Sequence, residues 1–323
     1  MLRPYEHRFP WNLDWNLLRT FMVVVEQRSI SRAADFLGLK QPTVSAALKR
    51  LEDSVGQVLI ERRPNRFRVT RAGEVLFSEC STIFGTVSQL PALMQAGADT
   101  LSGHISLVMT SHVVSPHLDA VLADFAQRHR DVTFSVVVAE SGEVLKLIEQ
   151  NRAAFGICLI NRQPRHLHAP VLCREFFALY CGAKHRLFGK ARIALADLAG
   201  EPSVAFHTEV EGGPLQSVNR LRERARLAPG PRGVSANLPE VRRMIVANIG
   251  IGALPVHVAA RDVGLGLLRQ LPPHDRLPAI DIHLVTNPRR QMSAPEAALN
   301  AAFTDLIDGE SLAARTYGVS APL

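Results

Sequence analysis

Ser31-Arg32-Ala33-Ala34-Asp35-Phe36-Leu37-Gly38-Leu39-Lys40-Gln41-Pro42-Thr43-Val44-Ser45-Ala46-Ala47-Leu48-Lys49-Arg50-Leu51 is the stretch that decides the fold. Ser31 is a good helix N-cap, so the spacing predicts a short helix running to Leu37. Gly38 follows where a left-handed C-terminal residue is wanted. Pro42 then opens a second helix, at a position where proline costs nothing. Val44, Leu48, Leu51 and Val55 form one apolar stripe on it, and Thr43, Ala46, Ala47, Lys49 and Arg50 face the other way. Two short helices about a glycine-containing turn, the second with a polar and basic outer face, read as a helix-turn-helix.

The flanks extend this reading. Upstream, Leu13, Leu17, Leu18, Phe21, Val24 and Val25 mark an amphipathic helix from Leu13 to Glu26. Downstream, Val58–Ile60 and Phe67–Val69 are β-prone runs around Arg62-Arg63-Pro64-Asn65-Arg66, a hairpin with a basic tip. Five arginines (Arg62, Arg63, Arg66, Arg68 and Arg71) stand against Glu61 within eleven residues, a pattern suited to phosphate contact. Charge follows the same division. Residues 1–71 hold 13 Lys+Arg against 7 Asp+Glu, or +6, while the other 252 of the 323 residues hold 24 against 23, or +1. A basic head on a near-neutral body points to a polyanion-binding module joined to something else.

Ser31-x-Ala33-Ala34-x-x-Leu37-x-Leu39-x-Gln41-Pro42-Thr43-Val44-Ser45, followed by Leu51-Glu52, Gly56, Leu59, Glu61-Arg62 and Thr70-x-x-Gly73, resembles the N-terminal domain of the LysR-type transcriptional regulators over about sixty ungapped residues. The resemblance implies an α/β chain with an N-terminal winged helix-turn-helix, a long linker helix and a two-lobed effector domain like the periplasmic binding proteins. It implies that Gln41, Pro42, Thr43 and Ser45 enter the major groove of double-stranded DNA. Ser31, Arg32, Lys49, Arg50, Arg62, Arg63, Arg66 and Arg68 complete the expected DNA contacts. Where many members carry arginine after the serine, this chain has Ala46, with Arg50 one turn later.

Residues 13–71 are therefore expected as the DNA-binding domain, after an extension at 1–12, and 72–98 as a linker and dimerisation helix. Leu76, Cys80, Ile83, Val87, Leu90 and Met94 follow a 4-3-4-3-4 spacing that predicts a dimer seam, with Pro91 bending or ending the helix near Leu90. The alternative for such a stripe is packing against the chain's own body. A symmetric dimer presents two recognition helices to two half-sites; a homotetramer built through the bodies, and RNA polymerase as a further partner, are implied by the resemblance alone.

From Gly103 the pattern changes to short aliphatic strands alternating with helices, which predicts parallel βαβ units. The effector domain is expected over 99–310. One lobe takes about 103–174 and 277–310, the other about 175–276, and residues 311–323 form a C-terminal tail. Ligands in such sheets sit at the carboxyl ends of strands, against helix N-termini. That rule selects Thr110, Ser111 and His112, then Glu140 and Ser141, in the first lobe. In the second it selects Phe206 and His207, Ser235-Ala236-Asn237, and the turn at Ile251. None of these positions is an arginine, so a small monocarboxylate or an aromatic effector is favoured over a dicarboxylate or phosphate.

Other classes fit poorly. No run of about 18 uncharged apolar residues suggests a membrane span, and no signal peptide is visible, so a cytoplasmic place is expected. Cys80, Cys158, Cys173 and Cys181 form no C-x-x-C pair and read as buried inert thiols; neither a metal nor a cofactor is expected. Gly250-Ile251-Gly252 lacks the strand before it and the helix after it that a dinucleotide loop requires. An enzyme lacks a nucleophile elbow and an acid–base pair. The expected function is an effector-sensing DNA-binding regulator; the alternative is a DNA-binding structural protein with a non-sensing body.

Overall fold

A computed structural model describes residues 13–63, 66–88, 90 and 101–318; for Arg62, Arg63 and Arg66 the backbone alone is described. The chain divides into two compact units, the first built on the N-terminal 90 residues. The N-terminal extension, the hairpin tip at Pro64-Asn65, Pro91 and Met94 lie outside the described residues.

In the first unit, α1 (Trp15–Gln27) is capped by Asp14, whose carboxylate accepts the Asn16 N–H at 3.0 Å. Helix α2 (Ile30–Leu37) starts from Ser29 rather than from Ser31: Ser29 is extended and its Oγ accepts the Arg32 N–H at 3.3 Å. Ser31 lies inside the first turn and is exposed. Gly38 closes α2 with φ +64°, a conformation that glycine adopts at little cost. In α3 (Gln41–Val55) the stripe Val44, Leu48 and Leu51 is buried among Leu17, Leu18, Phe21, Val24, Ala33 and Ala34, which fixes α3 across the other two helices. Strands β1 (Ile60–Arg63) and β2 (Arg66–Val69) pair antiparallel, with Glu61 opposite Arg68. Glu52 ties this wing to α3, its carboxylate accepting the N–H groups of Leu59 and Ile60 at 2.9 and 3.2 Å.

Helix α4 (Arg71–Val87) begins at Thr70, whose hydroxyl accepts the Gly73 N–H at 3.1 Å. Two of the expected seam residues do not face outward. Cys80 is 0% exposed in the same core as Phe21, and Leu76 packs against that core with Phe77 and Phe84. The 4-3 spacing at Leu76 and Cys80 thus records packing of α4 on its own head, the alternative such a stripe always carries. Ile83 is half-buried, whereas Val87 and Leu90 are exposed.

The second unit is built on β3 (Gly103–Met109), α5 (Pro116–Arg128), β4 (Val132–Val138), α6 (Ser141–Glu149) and β5 (Phe155–Leu159). Strand β3 pairs parallel with both β4 and β5, so the expected βαβ units form. The long strand β6 (Val171–Gly182) is followed by a 3-10 turn at Leu195–Leu198, β7 (Val204–Phe206), α7 (Gln216–Arg224), β8 (Gly233–Ser235), α8 (Leu238–Val246) and β9 (Gly252–Pro255). Then come α9 (Val256–Gly264), β10 (Leu268–Leu271), β11 (Ala279–Val285), α10 (Ala294–Gly309) and β12 (Thr316–Tyr317). The main sheet runs β10-β6-β11-β5-β3-β4, with β9 and β12 also on β6, while β7 and β8 form a parallel pair.

Two lobes result because β6 serves both. Its first half pairs with β11 and β12, its second with β9 and β10. One lobe packs Ile105, Leu107, Phe125, Phe155, Leu299 and Phe303 together; the other packs Phe177, Leu179, Val204, Val241, Ile245 and Leu254. Residues 311–318, expected as a tail, instead fold onto the first lobe, with Tyr317 opposite Glu175 on β6.

Gly73 gives a direct test of the head. A Cβ there would lie 2.2 Å from the Leu59 carbonyl oxygen and 2.7 Å from Val69 Cγ1, so the start of α4 cannot pass the wing root without a shift. Gly73→Ala should destabilise the head by about 1–3 kcal/mol, the usual cost of overpacking. A thermal melt of the head signal unchanged from wild type would show that this close approach carries no weight.

Candidate DNA-contact face and interlobe cleft

The DNA-contact candidates lie together on the head. Gln41, Pro42 and Thr43 are exposed on the first turn of α3, Ser45 is half-buried, and Lys49 and Arg50 are exposed further along it. The N-cap Lys40 makes no side-chain cap; its carbonyl accepts the Thr43 N–H at 2.9 Å and the Val44 N–H at 3.3 Å, closing the first turn of α3. Ser31 and Arg32 are exposed at the start of α2. Arg50 is not wholly free, since its Nη2 lies 3.4 Å from Asp14 Oδ2. The wing places Arg62 opposite Phe67 and Arg63 opposite Arg66 in register, with Arg68 exposed on β2.

The effector candidates converge on the cleft between the lobes. The Ser111 hydroxyl, after β3, donates to the Ala236 carbonyl at 3.2 Å and accepts the Leu238 N–H at 3.0 Å, so it grips the turn containing Asn237. The His112 and Phe206 rings face each other at 5.5 Å between centroids. Glu140 Oε1 and His207 Nδ1 stand 3.3 Å apart across the opening. The His207 N–H donates to the Ser235 carbonyl, which joins the ends of β7 and β8. Thr110 is buried with its hydroxyl unbonded, and Ser141 is buried as the first residue of α6.

Ile251 does not belong to this group. It is fully buried in the core of the second lobe, where its carbonyl accepts the Val204 N–H at 2.8 Å. The turn between Gly250 and Gly252 is closed by its own lobe, its backbone forming a bridge to Ser203.

Burial sets the electrostatics. Both ring nitrogens of His112 lack partners, and desolvation pushes its pKa down to about 4, so the imidazole is neutral at pH 7. Behind Phe206, sequence reasoning missed a buried pair. Glu209 Oε1 accepts the Phe206 N–H at 2.9 Å, while Glu209 Oε2 lies 3.6 Å from Arg222 Nη1. The Arg222 Nη2 donates to Ser203 Oγ at 2.7 Å. Burial raises Glu209 to about 7 against the opposing pull of the Phe206 N–H and Arg222. The three-residue step from Phe206 to Glu209 was the only local signal for this brace; Arg222 comes from a distant helix. A cavity of about 500 Å³ adjoins it, lined by Phe206, Glu209, Arg222, Leu227 and Val234 among others.

All four cysteines are free and buried, with burial raising Cys80 and Cys181 to about 11 and Cys158 and Cys173 to about 12. Among the described residues there is no group of three His, Cys, Asp or Glu able to hold a metal ion, and no helix long and apolar enough to cross a membrane.

Comparison with known proteins matches both halves. Residues 15–74 match the family "Bacterial regulatory helix-turn-helix protein, lysR family", and residues 98–307 match "LysR substrate binding domain". The HTH-type transcriptional regulator CfxR of Cupriavidus necator is 28% identical over 255 residues, covering 77% of this chain and 78% of that protein. The hydrogen peroxide-inducible genes activator of Pectobacterium carotovorum is 25% identical over 281 residues, with 84% and 89% covered. In fold, the chain is similar to the crystal structure of CbnR, a LysR family transcriptional regulator, with a TM-score of 0.66 at 18% identity over 91% of this chain and 99% of that one. With a DNA-binding head and an effector-binding body each matched along its length, the chain belongs to the LysR family of transcriptional regulators.

Proposed function

We propose that the first turn of α3 reads an operator, that the wing holds its backbone, and that a small molecule in the interlobe cleft changes this binding. The observation that carries the sensing half is the meeting of Ser111 with Ala236 and Leu238, of His112 with Phe206, and of Glu140 with His207. Each pair joins one lobe to the other. A ligand held there interacts differently with the closed and open lobes and so shifts their balance.

In this reading Gln41, Thr43 and Ser45 face base edges and Pro42 packs on the groove. Ser31, Arg32, Lys49, Arg50, Arg62, Arg63, Arg66 and Arg68 meet phosphates. A neutral His112 against Phe206, in a cleft whose named contacts include no arginine, favours an aromatic or monocarboxylate effector. Peroxide sensing by a thiol needs thiolate, and raised, buried cysteines supply little of it. We propose a regulator in the cytoplasm rather than an enzyme. Its assembly would be a homodimer that pairs into a homotetramer, with RNA polymerase a further partner. Exposed Val75, Val87 and Leu90 on and beyond α4 support self-association. So do Val136, Val137 and Val138, exposed on the edge strand β4.

Thr43→Ala should cost about 1–3 kcal/mol on the selected operator and little on random DNA, as measured by binding titration; equal loss on both would reject Thr43 as a base reader. Arg66→Ala should weaken binding to all sequences and reduce the slope of log K against log salt by about one. An unchanged slope would remove Arg66 from the phosphate contacts. For His112 the sign follows from burial. The unfolded chain takes up a proton below about 6.5, and the folded chain only near 4. Wild-type stability should therefore fall faster than that of His112→Phe as pH drops from 6.5 towards 4. A difference between the two melts that is independent of pH would show that His112 is not held neutral.

A further inference from the structure

The match to the effector-domain family ends at residue 307, yet the chain beyond α10 is tightly held. Arg315 is 4% exposed, and its guanidinium donates to the carbonyls of Val171 at 2.7 Å, Glu310 at 3.2 Å, Ile307 at 3.1 Å and Leu172. Its own carbonyl accepts the Arg174 N–H at 3.0 Å. Four acceptors around one buried cation fix this segment against β6. The next two residues then continue as β12.

Tyr317 is the end of that strap. Its hydroxyl lies 2.6 Å from Ser115 Oγ and 2.7 Å from His117 Nδ1. Ser115 Oγ also accepts the Leu118 N–H, so one hydroxyl serves both the strap and the cap of α5. On its other side the Tyr317 ring lies 4.9 Å from the ring of His257, which belongs to α9 in the second lobe. His257 Nε2 in turn donates to the Val114 carbonyl at 2.9 Å. Val114 is thus held from the second lobe and Ser115 from the strap. These two residues end the loop that begins at Thr110. Ser111 and His112, which meet the second lobe across the cleft, lie two to four positions before them.

We propose that Tyr317 is a positioning residue for the loop Thr110–Ser115: through Ser115 and His257 the C-terminal strap sets where Ser111 and His112 stand, and so how the cleft closes. That this loop contacts an effector rests on the proposed function; that the strap places the loop does not. The restraint is economical, because one aromatic side chain touches the capping hydroxyl of the first lobe and the ring that anchors the second. Removing the hydroxyl alone cuts the link from the strap to Ser115 and His117 while Ser115 Oγ keeps the Leu118 N–H, His117 Nε2 keeps Glu310 at 3.0 Å, and the ring contact with His257 stays.

The test is hydrogen exchange on the full-length protein without ligand. In Tyr317→Phe the amides of residues 110–118 should exchange about five- to tenfold faster, the effect of losing one hydrogen bond in a local opening. Amides of β5 (Phe155–Leu159) should keep their wild-type rates. Ser115→Ala should also speed loop exchange, and the double variant should fall short of the two single effects combined, because both remove the link between Tyr317 and Ser115. Unchanged exchange at 110–118, an equal rise in β5, or additive effects in the double variant would each overturn the proposal. Because no ligand is present, a failed effector reading would leave this outcome untouched and would show instead in titrations of the cleft.

Discussion

The buried strand β6 is the constraint on which the body depends. From Leu172 to Gly182 nearly every residue is buried, and its hydrogen-bonding edges are claimed first by β11 and β12 and then by β9 and β10. A strand shared in this way cannot shift register in one lobe without doing so in the other. Both lobes are therefore anchored to one strand, and their facing loops meet in pairs. Ser111 finds the Ala236–Leu238 turn, and His112 finds Phe206, because the strand between them holds both lobes in place. A shared strand of this kind suits a sensor, since a ligand binding between the lobes interacts with two bodies tied to the same element.

Much of the fold was legible in the residues. The helix Pro116–Arg128 and the strand Val132–Val138 fit the alternation of strands and helices expected from Gly103 onward, because proline and an N-cap mark one and β-branched residues the other. The helix-turn-helix was legible for the same reason, apart from its first cap. Ser29 and Ser31 are both good caps, and only the extended backbone at Ser29 decides between them. What was hidden depended on tertiary context. Val256-His257-Val258 has the look of strand, yet it forms α9 behind Pro255, and Val256 and Ala259 are buried against the second lobe. The first half of β6 carries Arg174 and Glu175, whose charges mask a strand; Arg174 is balanced by Asp281 at 2.6 Å, which is 107 residues away.

The site divides in the same way. Candidates chosen by position, at the carboxyl ends of strands, came together in the cleft, since that rule expresses where open α/β sheets leave room. Ile251 failed because a turn beside glycines can be filled by its own lobe. Cys80 and Leu76 failed because a heptad stripe does not say which surface covers it. The pairing of Glu209 with Arg222 behind Phe206, and the strap at Tyr317, could not be read from local spacing. Each joins residues that are neighbours only after the lobes have formed.

The order of elements along the chain has a consequence for synthesis. The first lobe is discontinuous: β3, β4 and β5 come early, but β11, α10 and β12 are supplied by residues 279–317. Its sheet and its Tyr317 tie therefore cannot be completed until residue 317 has left the ribosome. The head needs only the segment to Val87 and has its own core. During each round of translation the reading head is thus finished well before its sensor, and a nascent chain arrested in that interval would carry a folded DNA-contact face with nothing yet to govern it.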